Sequence, residues 1–67
     1  MNYTAEIATD ERDNYGVTRT RYFVDVDYKD TISQVTETAS SFWTEAEAVE
    51  YMETEDFTSW LSARGLN

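Results

Sequence analysis

Sixty-seven residues make one domain, and a chain this short buries only roughly 60% of its unfolded surface. It has no Cys and no His, which excludes disulfides, the usual zinc ligand sets and every histidine- or cysteine-based catalytic arrangement. A net charge of −9, from five basic and fourteen acidic residues, excludes a protein that holds nucleic acid or an anionic membrane by neutralising phosphates.

The core must therefore form by packing alone, or a second copy must cover it. Five Tyr, three Phe and two Trp supply large buried areas from few side chains. The opening MNYTAEIATD has neither a basic region nor an apolar stretch of signal-peptide type, and no apolar run has the length of a membrane span. A soluble, cytoplasmic protein is expected. The charge is uneven: residues 1–36 carry seven acids against four bases, and residues 37–67 carry seven against Arg64 alone.

In chain order, Tyr3, Ala5 and Ile7 alternate with Thr4, Glu6 and Ala8, which predicts a strand over 2–9. DERDNYG (10–16) breaks the pattern and reads as a flexible loop, longer than a tight two-residue turn, with Asn14 and Gly16 tolerating positive φ. The second strand, 17–28, is the clearest. Tyr22, Val24, Val26 and Tyr28 share one face; Arg19, Arg21, Phe23, Asp25 and Asp27 share the other. One face is buried and one is wet, as in an antiparallel sheet. Lys29–Asp30 is the predicted turn. A third strand over 31–40 is rich in Thr and β-branched residues. Ile32 and Val35 cannot face the same way without a bulge, which predicts an irregular or edge strand.

The period then changes, and 44–64 reads as helical. Thr44 and Glu47 match a capping box, with Trp43 and Ala48 at the positions of a hydrophobic staple. Ala46, Val49 and Met52, with Ala48 beside them, begin an apolar stripe that Phe57, Trp60 and Leu61 continue. Gly65 takes a left-handed C-terminal position, which brings Leu66 to Leu61. Thr54 is placed to cap a second helix, while no Gly or Pro forces a break, so one kinked helix or two short ones remain open. The expected fold class is α+β: a three-stranded antiparallel meander with one or two C-terminal helices packed on one face.

Catalytic chemistry is mostly excluded. Lys29 is the only lysine and sits in a predicted turn, and two glycines make no phosphate-binding loop. Asp25 and Asp27, with Asp30 beyond them, read as a solvated strand face partnered by Arg19 and Arg21. The expectation is a non-enzymatic protein with no cofactor, no catalytic residue and no metal site.

The unusual feature is TEAEAVEYMETED (44–56). Glu45, Glu47, Glu50, Glu53, Glu55 and Asp56 put six carboxylates in thirteen positions with no Lys or Arg among them. Glu is a good helix former, and two or three of these acids suit helix N-termini. Exposed helices gain from opposite charges at i,i+4, and this one forgoes them. Glu37 and these six acids are the candidate electrostatic surface for a basic partner. Phe23 on the wet face and Tyr15 in the loop are candidate anchors, since interfaces are enriched in aromatics.

In size, charge and layout the chain resembles the small acidic inhibitors encoded by bacteriophages and mobile elements, anti-CRISPR and anti-restriction proteins among them. That resemblance implies nucleic-acid mimicry: engaging a basic nucleic-acid-binding surface rather than nucleic acid itself. The strand meander followed by FWTEAEA also resembles the arm-binding domain of tyrosine recombinases, which needs basic strands; only Arg19 and Arg21 serve here. The alternative is an assembly module, acting through protein–protein contact or homodimerisation by the strand-two face or an open sheet edge.

Overall fold

In a computed structural model, which describes residues 3–66, the chain forms β1 (Tyr3–Asn14), β2 (Val17–Asp30), β3 (Ser33–Phe42), α1 (Glu45–Tyr51) and α2 (Glu55–Ser62). The strands form one antiparallel sheet in the order β1-β2-β3, and both helices pack on the same face. This is the α+β meander expected from the sequence, with two helices rather than one. Residue 2, the first of the predicted strand, lies outside the described residues.

β1 runs five residues beyond its predicted end. The pairing continues through Asp10↔Arg21 and Arg12↔Arg19 to Asn14↔Val17. The predicted loop is thus a two-residue turn, Tyr15–Gly16. Both residues have positive φ, 54° and 77°, as a type I′ hairpin turn demands. Residues 9–19 are exposed, so this end of the hairpin is a two-stranded ribbon projecting past β3 and the helices. A ribbon wet on both faces shows no apolar alternation, which is why its residues look like a loop.

The second turn also lies later than predicted, at Thr31–Ile32 after Asp30↔Ser33. Thr31 takes φ 50°, a costly conformation for a β-branched residue. Ile32 is 88% exposed in this turn. β3 is an edge strand with a bulge: Val24 pairs with Ser40 and Asp25 with Thr38, leaving Ala39 extra. Val35 and Phe42 are seven residues apart, so an unbroken strand would send them to opposite faces. The bulge shifts the phase and lets both face the helices, opposite Tyr28 and Tyr22.

The buried core is Val24, Val26, Ala48, Phe57, Leu61 and Leu66. Around it run Phe42, Tyr51, Phe57 and Trp60, with successive ring centroids 5.3, 5.5 and 6.4 Å apart. Thr44 accepts the Glu47 amide at 3.2 Å and Thr54 receives the Phe57 amide at 3.5 Å, so each helix has its own cap. The Thr54 hydroxyl also donates to the Tyr51 carbonyl at 2.6 Å, tying the helix junction together. Gly65, at φ 72°, permits a Schellman ending. The Leu66 amide donates to Leu61 O and the Gly65 amide to Ser62 O, both at 3.0 Å.

Two details of the helix reading are corrected. Ala46 and Val49 are exposed, Val49 by 45%; the inward face of α1 is Ala48, Tyr51 and Met52. A seven-residue helix makes only two turns, so one narrow stripe contacts the sheet. Trp43 does not staple to Ala48. Phe42 faces the helices, so alternation turns Trp43 to the open face, where it is 54% exposed.

Tyr15 offers a direct check on the hairpin. A bulky residue with positive φ is strained, whereas Asn adopts this geometry readily. Tyr15→Asn should raise stability by about 0.5–1 kcal/mol in urea unfolding. A loss of stability would mean that residues 10–19 do not form this ribbon.

Candidate functional site

The two layers carry different chemistry. All six carboxylates of 45–56 are exposed on the helical layer. Glu45 and Glu47 lie in the first turn of α1, and Glu55 and Asp56 in that of α2. Among the described residues the ion pairs are Arg12–Asp10 and Arg64–Glu37, so none of the six has a cationic partner. The helix–turn–helix brings three of them together. Glu47, Glu50 and Asp56 surround a shallow recess of about 250 Å³, which Phe42, Tyr51 and Thr54 also line. Glu45, Glu53 and Glu55 are not part of it. Burial, and secondarily the charge of Asp56, push the Tyr51 phenol above its ordinary value, so its ring remains neutral and uncharged beside the acids.

Glu37 is placed elsewhere. It sits on the helix-facing side of β3, opposite Val26. Arg64 grips it through Nε at 3.2 and 3.3 Å and Nη2 at 3.1 Å, and the Tyr28 hydroxyl donates to it. The Arg64 guanidinium also lies 3.7 Å from the Trp60 ring centroid, and its Nη1 donates to the Trp60 carbonyl at 3.0 Å. This cluster ties the end of α2 to the sheet. The Arg64 hydrogen bonds, then that of Tyr28, hold the Glu37 carboxyl below its ordinary range. The bond to Glu37 in turn raises Tyr28, and Arg64 as well.

The open face of the sheet is polar and divided. Arg12, Arg19 and Arg21 lie toward the ribbon; Glu6, Asp25 and Asp27 lie toward the other end, with Lys29 beyond them. Arg19 and Arg21 do not pair with Asp25 and Asp27, as the sequence suggests. They stack on Trp43, at 5.4 and 4.2 Å from its ring centroid, and Arg21 donates to Ser41 Oγ at 2.8 and 3.2 Å. Asp25 accepts from Thr38 at 2.8 Å and Asp27 from Thr36. Strand geometry separates the two charge sets along β2, so each finds neutral partners across the sheet. Phe23 stands between them, half-buried, opposite Ala8 and Ser41. Tyr15, at the hairpin tip, is 97% exposed.

A groove of about 620 Å³ opens on this face, where Asp10 and Asp13 line it together with Arg12, Arg19, Arg21, Phe23 and Trp43. The sequence reading missed Trp43 as part of it. The parity of positions 42 and 43 carried that signal once Phe42 was placed inward. No cluster of three or more acidic side chains among the described residues is arranged to hold a metal ion, and no helix among them is long and apolar enough to cross a membrane. Comparison with protein-family models, curated proteins and solved structures finds no match. The functional reading therefore rests on the site itself.

The Glu37 cluster yields a signed pH dependence. A depressed carboxyl pKa contributes stability that is present in full above its ordinary value of 4.5 and is lost as pH falls through the depressed value. Glu37→Gln removes that contribution. The melting temperatures of the two proteins should differ at neutral pH and converge on acidification below that range. A difference that persists unchanged into strong acid would show that the ion pair is not its source.

Proposed function

We propose that this is a non-enzymatic binding protein whose helical layer engages a basic protein surface, of the kind that binds nucleic acid. One observation carries the reading: Glu47, Glu50 and Asp56 converge on a recess lined by Phe42 and Tyr51, with no cation of their own. Carboxylates beside aromatic rings suit a partner's Arg or Lys, which gains charge pairing and a cation–π contact together. The remaining acids, Glu45, Glu53 and Glu55, extend the negative field around the recess and steer a basic partner toward it. A surface evolved to hold phosphates presents such side chains in rows. An inhibitor that occupies that surface in place of nucleic acid fits the size, charge and layout of this chain.

The test separates the recess from net charge. One variant carries Glu47→Gln, Glu50→Gln and Asp56→Asn; the other carries Glu45→Gln, Glu53→Gln and Glu55→Gln. Each loses three charges. Immobilised wild-type protein should capture nucleic-acid-binding proteins from lysate, and excess duplex should release them. The recess variant should weaken capture at least tenfold, and the second variant only a few-fold. Equal losses would reduce the site to bulk charge. Capture that ignores both variants and the duplex would overturn the proposal.

A further inference from the structure

We propose that the open face of the sheet is a self-association surface, on which a second copy of this chain packs antiparallel about a two-fold axis at Phe23. On that face β2 carries, in order, Val17, Arg19, Arg21, Phe23, Asp25, Asp27 and Lys29. From Arg19 to Asp27 the charges are antisymmetric about Phe23, and Lys29 beyond them falls over the partner's Val17. A two-fold axis lying between two such faces, across the strands, reverses the strand direction of one copy. Arg19 of each copy then lies over Asp27 of the other, and Arg21 over Asp25, with the two Phe23 rings meeting at the axis. An isologous interface requires this kind of self-complementarity.

The surroundings fit. Beside the axis stand Ala8 and Ser41, small side chains that let two Phe23 rings approach. One contact opposes the pairing: Glu6 comes over the partner's Asp10, a like-charge meeting that Asp10's own ion pair with Arg12 reduces. Tyr15 and Thr31 stand equally far from Phe23 along β2, so the exposed Tyr15 of each copy is brought to the end where the other carries exposed Ile32. Each projecting ribbon would lie against the three-stranded half of its partner, which covers the groove lined by Arg19, Arg21 and Trp43. Stacking on Trp43 leaves guanidinium edges to donate to carboxylates; on Arg21 this is the Nη1 side, since Nε and Nη2 already donate to Ser41.

Two chains of charge −9 also repel. The acidic helices, however, face away from the interface on the outer sides of such a sandwich. At 0.15 M salt the screening length is about 8 Å, which weakens that repulsion more than it weakens pairs in contact. The footprint is one narrow, largely polar three-stranded sheet face, so the dimer is of modest affinity.

Sedimentation velocity of the full chain from about 10 to about 500 µM, a range suited to such a footprint, tests this. The wild type should shift from monomer to dimer. Arg19→Asp with Arg21→Asp, or Asp25→Arg with Asp27→Arg, should each weaken self-association at least tenfold. An equimolar mixture of the two variants should associate, because positions 19–27 of the β2 row are then all negative in one and all positive in the other. The fourfold variant R19D/R21D/D25R/D27R restores an antisymmetric row of opposite sense, and should dimerise again. Far-UV circular dichroism checks folding; if a double variant unfolds, Arg19→Asp and Asp27→Arg at the ends of the row give the same test singly. A wild type that stays monomeric overturns the proposal. So does a dimer indifferent to both substitutions, which would mark pairing through the edge of β1 or β3. Either failure leaves the recess on the opposite face unaffected.

Discussion

The structure depends on the alternation of β2. Val24 and Val26 are fully buried beneath the helices, while Phe23, Asp25 and Asp27 point the other way from the same strand. A slip of one residue would bury carboxylates and expose the valines. The bulge at Ala39, the inward turn of Phe42 and the outward turn of Trp43 are adjustments to that phase. β3 must turn Val35 at one end and Phe42 at the other to the helical side of the sheet, and only an extra residue reconciles them. Once Phe42 is inward, the next side chain has to lie on the open face, and Arg19 and Arg21 are already there to receive it.

With both strong alternation and caps in the chain, most of the architecture was legible. The buried set of β2, the two threonine caps and the Schellman ending follow from local rules that the tertiary structure does not contradict. The ribbon was not legible, because periodicity reports burial and not strand geometry: DERDN pairs as a strand while remaining wet on both faces. The inward face of α1 was legible only in part: Ala48 and Met52 do face the core, but Ala46 and Val49 do not, and Tyr51 takes their place. In two turns of helix either set offers a stripe, and packing against the sheet decides between them. Of the candidate site, the acids were plain in the sequence, but their grouping was not. Glu47 and Glu50 meet Asp56 because Thr54 starts a new helix that turns back toward them.

Charge in this molecule is sorted by layer. Glu37, although one of the acids on the chain's more acidic half, is used internally: it holds Arg64, the one base of that half, and ties the last helix to the sheet. The six acids of 45–56 are thereby left without a compensating cation on their own layer. The other three arginines lie on the opposite side of the sheet. A small domain has little stability to spare, on the order of 3–10 kcal/mol for this length. Mixed charges on the helices would be the more stable arrangement, so a layer left unmixed is consistent with selection for its field.

The sheet's open face shows the same logic in another form. A chain this acidic could solvate that face with carboxylates throughout, yet three of its five bases are collected at one end of it. Arg12 and Arg19 stand directly opposite each other, an unfavourable pairing that the Asp10 contact only partly relieves. Tyr15 and Thr31 hold positive φ at opposite ends of β2, and Tyr15 and Ile32 expose apolar surface there. A two-fold axis at Phe23 would bring the exposed Tyr15 of each copy to the end where the other carries Ile32, and Arg19 and Arg21 to carboxylates. Pairing in this way would cover that apolar surface, and would leave two acidic recesses facing outward on opposite sides. A partner with repeated basic sites, as nucleic-acid-handling assemblies have, would then meet a bivalent ligand, and a modest recess could bind tightly through avidity.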